Sequence, residues 1–482
     1  MINKYITATI IALAAGGAIN AQNVKPAPRL VVNITIERLR TDYMEAFLPN
    51  CGDYGFKKLI REGVVYPNAQ YPFSPTDKAS SIASVFTGTS PSNNGITGVQ
   101  WLNKATLIPT GCTDDDNCNG LLTYEKASPK NIATTTINDE LKISTDGKAV
   151  VYSVAIDRNA AIIAGGHAAD GALWFNPDKK RWCSSDYYFK KLPKWIESYN
   201  SLYSDDLKSY EANTNVTEMA LQCVTSCGMG LDDVPDMLSV FYDATPIEKE
   251  HQHDRIYLKN TYIKLDREIE KLTSKIENRF GRENVLFVIS GTGCREEKEI
   301  DYAKYRIPCG TFYINRTANL LNMYLSAIYG QDKYVESCFY NQIFLNVKQI
   351  ETKRISMADI LSRAQSFLIQ NSGVKNVLTT RNIMFTENGS SSQLRNWYNP
   401  DNCGELVIEL TPGWRLLNEE NGQQYVARAS IIPIPIIFYG GGNKAKTETT
   451  PVSVDRIAPT IAKAIRIRAP NACNSVALPL IK

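Results

Sequence analysis

Apolar runs of strand length alternate along this chain with segments of helical periodicity, and that alternation restricts the fold more than any other feature. RLVVNITI (Arg29–Ile36) is almost continuously apolar, as a strand buried on both faces must be. AVVYSVAID (Ala149–Asp157), DMLSVFYDA (Asp236–Ala244), NVLFVIS (Asn284–Ser290) and IPIPIIFYGGG (Ile432–Gly442) repeat the pattern. Between them DYGFKKLIREGVVYPNAQY predicts an amphipathic helix, a stop at Gly63 and a short strand. A small-residue helix is expected over Ala79–Phe86, a long one between Asp254 and Phe280 with Gly281 as its stop, and another over Met357–Gln370. This order predicts an α/β fold, a central mainly parallel sheet with helices on both faces. Sites in such sheets form at the C-terminal strand edges. Those edges are Glu37, Asp157, Asp243–Thr245 and Gly291–Thr292.

The first residues carry one early lysine, an apolar run and small residues ending at Ala21. They predict a secretory signal peptide over 1–21 and a mature chain over 22–482, with no cysteine after the cut to carry a lipid. No later segment has the length and apolarity to span a bilayer. The expected location is therefore the periplasm, the outer-membrane surface or the medium. Basic and acidic side chains number 53 and 50 without a basic cluster, which argues against a nucleic-acid footprint. Eleven cysteines in an oxidising compartment leave at least one thiol unpaired or intermolecular. Cys112 and Cys118, in CTDDDNC, are the best local disulfide candidates. The acidic run Asp114–Asp116 reads as a solvated loop, with a calcium site as the alternative. Cys223 and Cys227, four apart on one helix face, read as buried thiols.

The landmarks GFKKLIREG, FTGTSPSNNGITG, DRNAAIIAGGHAADGALWF, YIKLDREIEKL, LLNMYLSAIYG, YNQIFLN, IPIIFYG and VDRIAPTIAKAI extend through nearly the whole mature chain. In wording and order they resemble the alkaline phosphatase superfamily. The nearest branch is that of the Thr-nucleophile alkaline phosphatases, close to the type I phosphodiesterase/nucleotide pyrophosphatases. The resemblance implies one domain over 22–482 with cap insertions around 106–124 and 294–421. For the family it implies a two-zinc site that hydrolyses phosphate esters.

Position by position, the implied site departs from that pattern. The first metal-binding aspartate corresponds to Glu37 and the nucleophilic threonine to Lys78. The Asp-x-x-x-His metal pair corresponds to Thr245 and Lys249, the Asp-His pair to Thr292 and Gly293, and the last histidine falls near Pro433. Of the residues that grip phosphate, the asparagine matches Val99 and the lysine Ile156; Arg158 alone keeps its type. One further constraint is independent of alignment. A two-zinc site of this family takes three histidines from scattered regions, and this chain has only His167, His251 and His253. His167 matches a histidine that is not a ligand, and none follows His253. The expectation is therefore no catalytic residue and no metal cofactor. Two metal ions about 4 Å apart need several converging ligands, whereas Lys78 and Lys249 would repel them.

Without metal, a half-buried Glu37 would be costly unless paired. An ion pair between Glu37 and Lys78 in the former metal position is the expected remedy. Several alternatives stay open. Lys78 is a candidate activated nucleophile, and Thr76 or Ser80 a shifted one, although Thr76 or Ser74 reads more simply as a helix cap. Asp243 is a candidate replacement acid, with His251 or His253 as its metal partner. Arg158 either anchors a small anion or pairs with a local carboxylate. Two functions follow: a pseudoenzyme binding a protein partner in the cell envelope, or a divergent hydrolase of phosphate or sulfate esters.

Overall fold

Every residue of Leu30–Glu37 (β1) is buried, and the strand lies near the middle of the main sheet. The computed structural model describes residues 26–203, 212–246, 254–293, 302–385, 390–426 and 432–480. The expected signal peptide, Lys249, His251, His253 and Cys294 lie outside the described residues.

The other principal strands are Val64–Gln70 (β2), Val151–Val154 (β3), Gly171–Asn176 (β4), Arg181–Ser185 (β5), Asp236–Asp243 (β6), Val285–Gly291 (β7) and Ile434–Gly440 (β8). Their spatial order is β2-β8-β7-β1-β6-β3-β4-β5. The strands from β7 to β4 run parallel. At the margins β8 is antiparallel to β7 and β2, and β5 to β4. The reversal of β8 has a simple cause. Residues 302–426 leave and return at the C-terminal end of β7, so the returning strand runs back down the sheet, with Ile436 opposite Ser290.

Alternate residues of β1 enter two cores, as strand periodicity requires. Val31 packs with Lys78–Thr87 (α1), Arg158–Gly165 (α2) and Ile457–Ile465 (α3). Leu30, Val32, Ile34 and Ile36 pack on the other face with Ala212–Ser226 and the long helix Arg255–Phe280. Residues between 302 and 426 include a four-stranded antiparallel sheet and the helices Ile314–Tyr329 and Met357–Leu368, around a core of their own. Among the described residues, no helix is long and apolar enough to cross a membrane.

The loop expectations need correction. Cys112 and Cys118 are both free thiols, as are all ten described cysteines. Cys112 is buried in the core, while Cys118 Sγ faces Asp115 Oδ2 at 3.5 Å. Of the intervening acids Asp116 is exposed, as a solvated loop would have it, but Asp115 is buried and Asp114 half-buried. Asp115 pairs with Lys130 at 2.8 Å and accepts from Ser128, so its loop wraps inward around that carboxylate. Burial opposes its ionisation, but Lys130 and Ser128 win and hold its pKa down to about 2. Asp114 turns toward Arg158.

One remote cap ties the loop after β1 to the long helix. Asp266, fully buried, accepts from the Gly52 N–H at 2.8 Å and the Phe56 N–H at 2.7 Å. It thereby caps Phe56–Glu62, whose own N-cap, Gly55, has no side chain to do so. A Cβ at Gly55 would come within 2.2 Å of Asp266 Oδ1. Asp266→Ala should lower stability by about 2–3 kcal/mol, since it strands both donors; urea unfolding measures it, and an unchanged midpoint would disprove the capping role.

Candidate functional site

Helix α1 begins where the sheet's C-terminal edge meets the loop Pro72–Asp77. Its N-cap is Asp77, not Thr76 or Ser74. The Asp77 carboxylate accepts from the Ser80 N–H at 2.9 Å and the Ser80 hydroxyl at 2.8 Å, and its other oxygen accepts from the Val99 N–H at 2.6 Å. Ser80 returns the favour by accepting from the Asp77 N–H, completing a capping box. The candidate nucleophile Ser80 is thus a buried cap partner. Gly88 closes α1 at φ +65°, and a Cβ there would strike Cys473 Sγ at 2.8 Å.

The cap places Lys78 at the first helical position. A cation there opposes the helix dipole, so something outside the helix must hold it. Lys78 Nζ lies 2.9 Å from Glu37 Oε2 at the end of β1 and 3.8 Å from Asp157 Oδ2. Phe241 presents its ring 5.8 Å below the ammonium. Burial pulls against the charged lysine, yet Asp157, Glu37 and Asp243 raise its pKa above the ordinary value. Burial raises Glu37 as well, with Asp243 adding to the rise and Lys78 opposing it. The two directions agree: several carboxylates share one ammonium, which stays protonated while they repel one another.

Strand register explains the crowding, because Glu37 stands opposite Asp243. Asp243 is already tied to its own turn: its Oδ1 accepts from the Thr245 N–H and hydroxyl. Thr292 ties the end of β7 to the end of β1, donating its N–H to Ile36 O at 3.1 Å and accepting from the Arg38 N–H at 3.3 Å. Gly293 has φ +66°, and a Cβ there would sit 3.1 Å from the Tyr71 ring. Pro433 offers its carbonyl to the Thr41 N–H. Each of these strand-edge positions therefore belongs to a closed turn or backbone contact.

Arg158 starts α2 and pairs with Asp114 at 2.8 Å, with Glu125 Oε1 at 3.9 Å. Trp174 Nε1 donates to the other Glu125 oxygen at 2.7 Å. Asp157 caps α2 through the Ala160 N–H at 2.9 Å. Beside Glu37 and Lys78 lies a cavity of about 700 Å³, which Arg158, Ile156, Asp243 and Trp174 also line. Sequence reasoning gave no role to Asp77 or to Asp157 as the second partner of Lys78. An aspartate directly before each small-residue helix was the available signal.

A family model described as type I phosphodiesterase / nucleotide pyrophosphatase matches residues 31–430. The chain belongs to this family. It is 25% identical to alkaline phosphatase PafA of Elizabethkingia meningoseptica, over 95% of this chain and 96% of that protein. Alkaline phosphatase PhoV of Synechococcus elongatus is also 25% identical, over 92% and 91%. The crystal structure of wild-type PafA superimposes with a TM-score of 0.82 at 24% identity, covering 95% of this chain and 99% of that one. The shared fold is α/β throughout.

A two-zinc centre of the kind implied for the superfamily does not fit the described residues. Among them no three His, Cys, Asp or Glu side chains come together as a metal-binding group. The carboxylates at the strand edge surround an ammonium instead. His167 is far from this role: its Nδ1 faces Asp139 Oδ2 at 3.0 Å and its Nε2 the Ile132 carbonyl at 3.1 Å.

Removing the ammonium should expose the strain it relieves. Lys78→Met is expected to cost about 2–4 kcal/mol at pH 8, and less at pH 5. Burial raises the Glu37 pKa, so its penalty is absent at low pH and grows as pH rises through that value. Equal losses at both pH values, by denaturant unfolding, would contradict the pairing.

His167 gives a second, opposite-signed check on the charge of its partner. Both ring nitrogens face acceptors, so the imidazolium is favoured, and the Asp139 hydrogen bond raises its pKa despite burial. Its contribution to stability should be complete below the ordinary value of 6.5 and vanish as pH climbs through the raised one. A proton-resolved titration of the His167 ring would show it, and His167→Gln should flatten that part of the stability profile.

Proposed function

We propose that this chain is an exported member of its family in which the phosphatase site has been converted from hydrolysis to binding, with a protein of the cell envelope as its partner. The observation that carries the reading is the Lys78 ammonium at the head of α1, 2.9 Å from Glu37. An ammonium held between carboxylates, with its pKa raised, is protonated at neutral pH and has no lone pair with which to attack phosphorus. The alternative nucleophile, the Ser80 hydroxyl, is locked in a cap. Among the described residues no three His, Cys, Asp or Glu side chains gather to hold a metal that would activate a water.

Stability does not require a metal centre. The ion pair neutralises Glu37, and two large cores flank the sheet independently of the site. A divergent hydrolase of phosphate or sulfate esters is the competing reading, and it draws on relatives named as alkaline phosphatases.

Elemental analysis of the purified chain, paired with an aryl phosphate assay, separates the two. The binding reading expects zinc well below one equivalent and no turnover above buffer, with or without added zinc. Roughly two zinc ions per chain and turnover abolished by a chelator would establish the hydrolase instead.

A further inference from the structure

Below the Glu37–Lys78 pair, the layer between β1 and α1 is polar. Strand alternation turns Asn33 and Thr35 toward the same face as Val31 and Glu37, the face that α1 covers. Asn33 is 0% exposed and Thr35 2%. Register sets Ser239 of β6 beside Asn33 and Ser290 of β7 beside Thr35. Both serines share that face, because Met237 and Phe241 flank Ser239, and Val288 precedes Ser290, at strand spacing in its core. From the helix, Ser81 follows Lys78 by one turn and Ser84 follows Ser81, and both are fully buried.

The protein itself does not answer these side chains. Neither the amide nitrogen nor the amide oxygen of Asn33 has a hydrogen-bond partner among the described residues, and the hydroxyls of Thr35, Ser81, Ser84 and Ser290 have none either. Asn138, whose amide nitrogen reaches Ser239 Oγ at 3.5 Å, leaves its own oxygen unpartnered. A buried donor or acceptor left bare carries its full desolvation cost, and native proteins satisfy nearly all of them. This many bare groups in one layer call for a common partner. Hydroxyls and amides offer donors and acceptors together and carry no charge, which matches water, itself both donor and acceptor. A bare cation cannot use the amide nitrogen, and the Glu37 carboxylate overhead disfavours an anion.

We propose that this layer is a buried hydration site, in which internal water molecules bridge Asn33 to Thr35, Ser81 and Ser290 under the Glu37–Lys78 pair. The inference goes beyond the binding reading and does not depend on it. It gives the ion pair a hydrated floor, so that Glu37 is solvated from the interior as well as from the cavity.

A high-resolution crystal structure of the full chain tests it directly. Solvent peaks about 2.7–3.2 Å from the Asn33 amide and from the Thr35 or Ser290 hydroxyl are the expected result. A dry layer, with these groups turned onto protein partners, would overturn the proposal. So would a peak enclosed by about six close oxygens, the shell of a cation. In solution, magnetic relaxation dispersion of water oxygen counts the waters held longer than the protein tumbles, and Asn33→Leu should lower that count. If that variant does not fold, the nearly isosteric Thr35→Val gives the same readout. A count unchanged in the variant that folds contradicts the hydration site. None of these outcomes bears on zinc content or turnover, so failure here leaves the binding reading as it stands.

Discussion

A carboxylate at the end of a central parallel strand must be given a positive charge or a proton, and the structure around this site follows from that requirement. Glu37 cannot turn away, because β1 is buried on both faces and its register is fixed by seven or more paired residues on each side. Asp243 stands beside it by the same register, which doubles the problem. Lys78 solves it from the opposite wall. It is presented at a fixed height by a capping box whose buried Asp77 also holds the Val99 segment. The helix dipole works against a lysine in that position, so the pair is stable only because several carboxylates outvote the helix.

That arrangement changes what the strand edge can do. Its remaining positions are tied into local contacts, with Thr245 bonded to Asp243, Thr292 to Ile36 and Arg38 across the sheet edge, and Gly293 under Tyr71. The cavity nevertheless persists, because the sheet's twist and the loops around Thr123–Glu125 and Asn176–Asp178 keep its walls apart.

Much of the scaffold was legible from periodicity. The expected strand Arg29–Ile36 is Leu30–Glu37, Asn284–Ser290 is Val285–Gly291, and the long helix ends at Phe280 before Gly281. These agree because buried strands and amphipathic helices write their burial directly into side-chain order. The antiparallel return of β8 was not legible, since direction depends on where the intervening residues leave and re-enter the sheet. Nor was the inward turn of Asp114 and Asp115, which look solvated until Lys130, Ser128 and Arg158 are brought to them from outside the segment.

The sequence by itself determined the scarcity: three histidines, a glutamate where β1 ends, and a lysine before the small-residue helix. Counts and residue types need no coordinates, because no arrangement can supply imidazoles that the chain lacks. The tertiary structure alone decided how the remaining charges are divided. Asp157 joins Lys78, Arg158 pairs with Asp114 at the edge of the cavity, and Cys112 lies in the core while Cys118 faces Asp115. Those choices turn on distances of a few ångströms between segments far apart in the chain, and at that range Coulomb and hydrogen-bond energies depend on geometry that residue order does not contain.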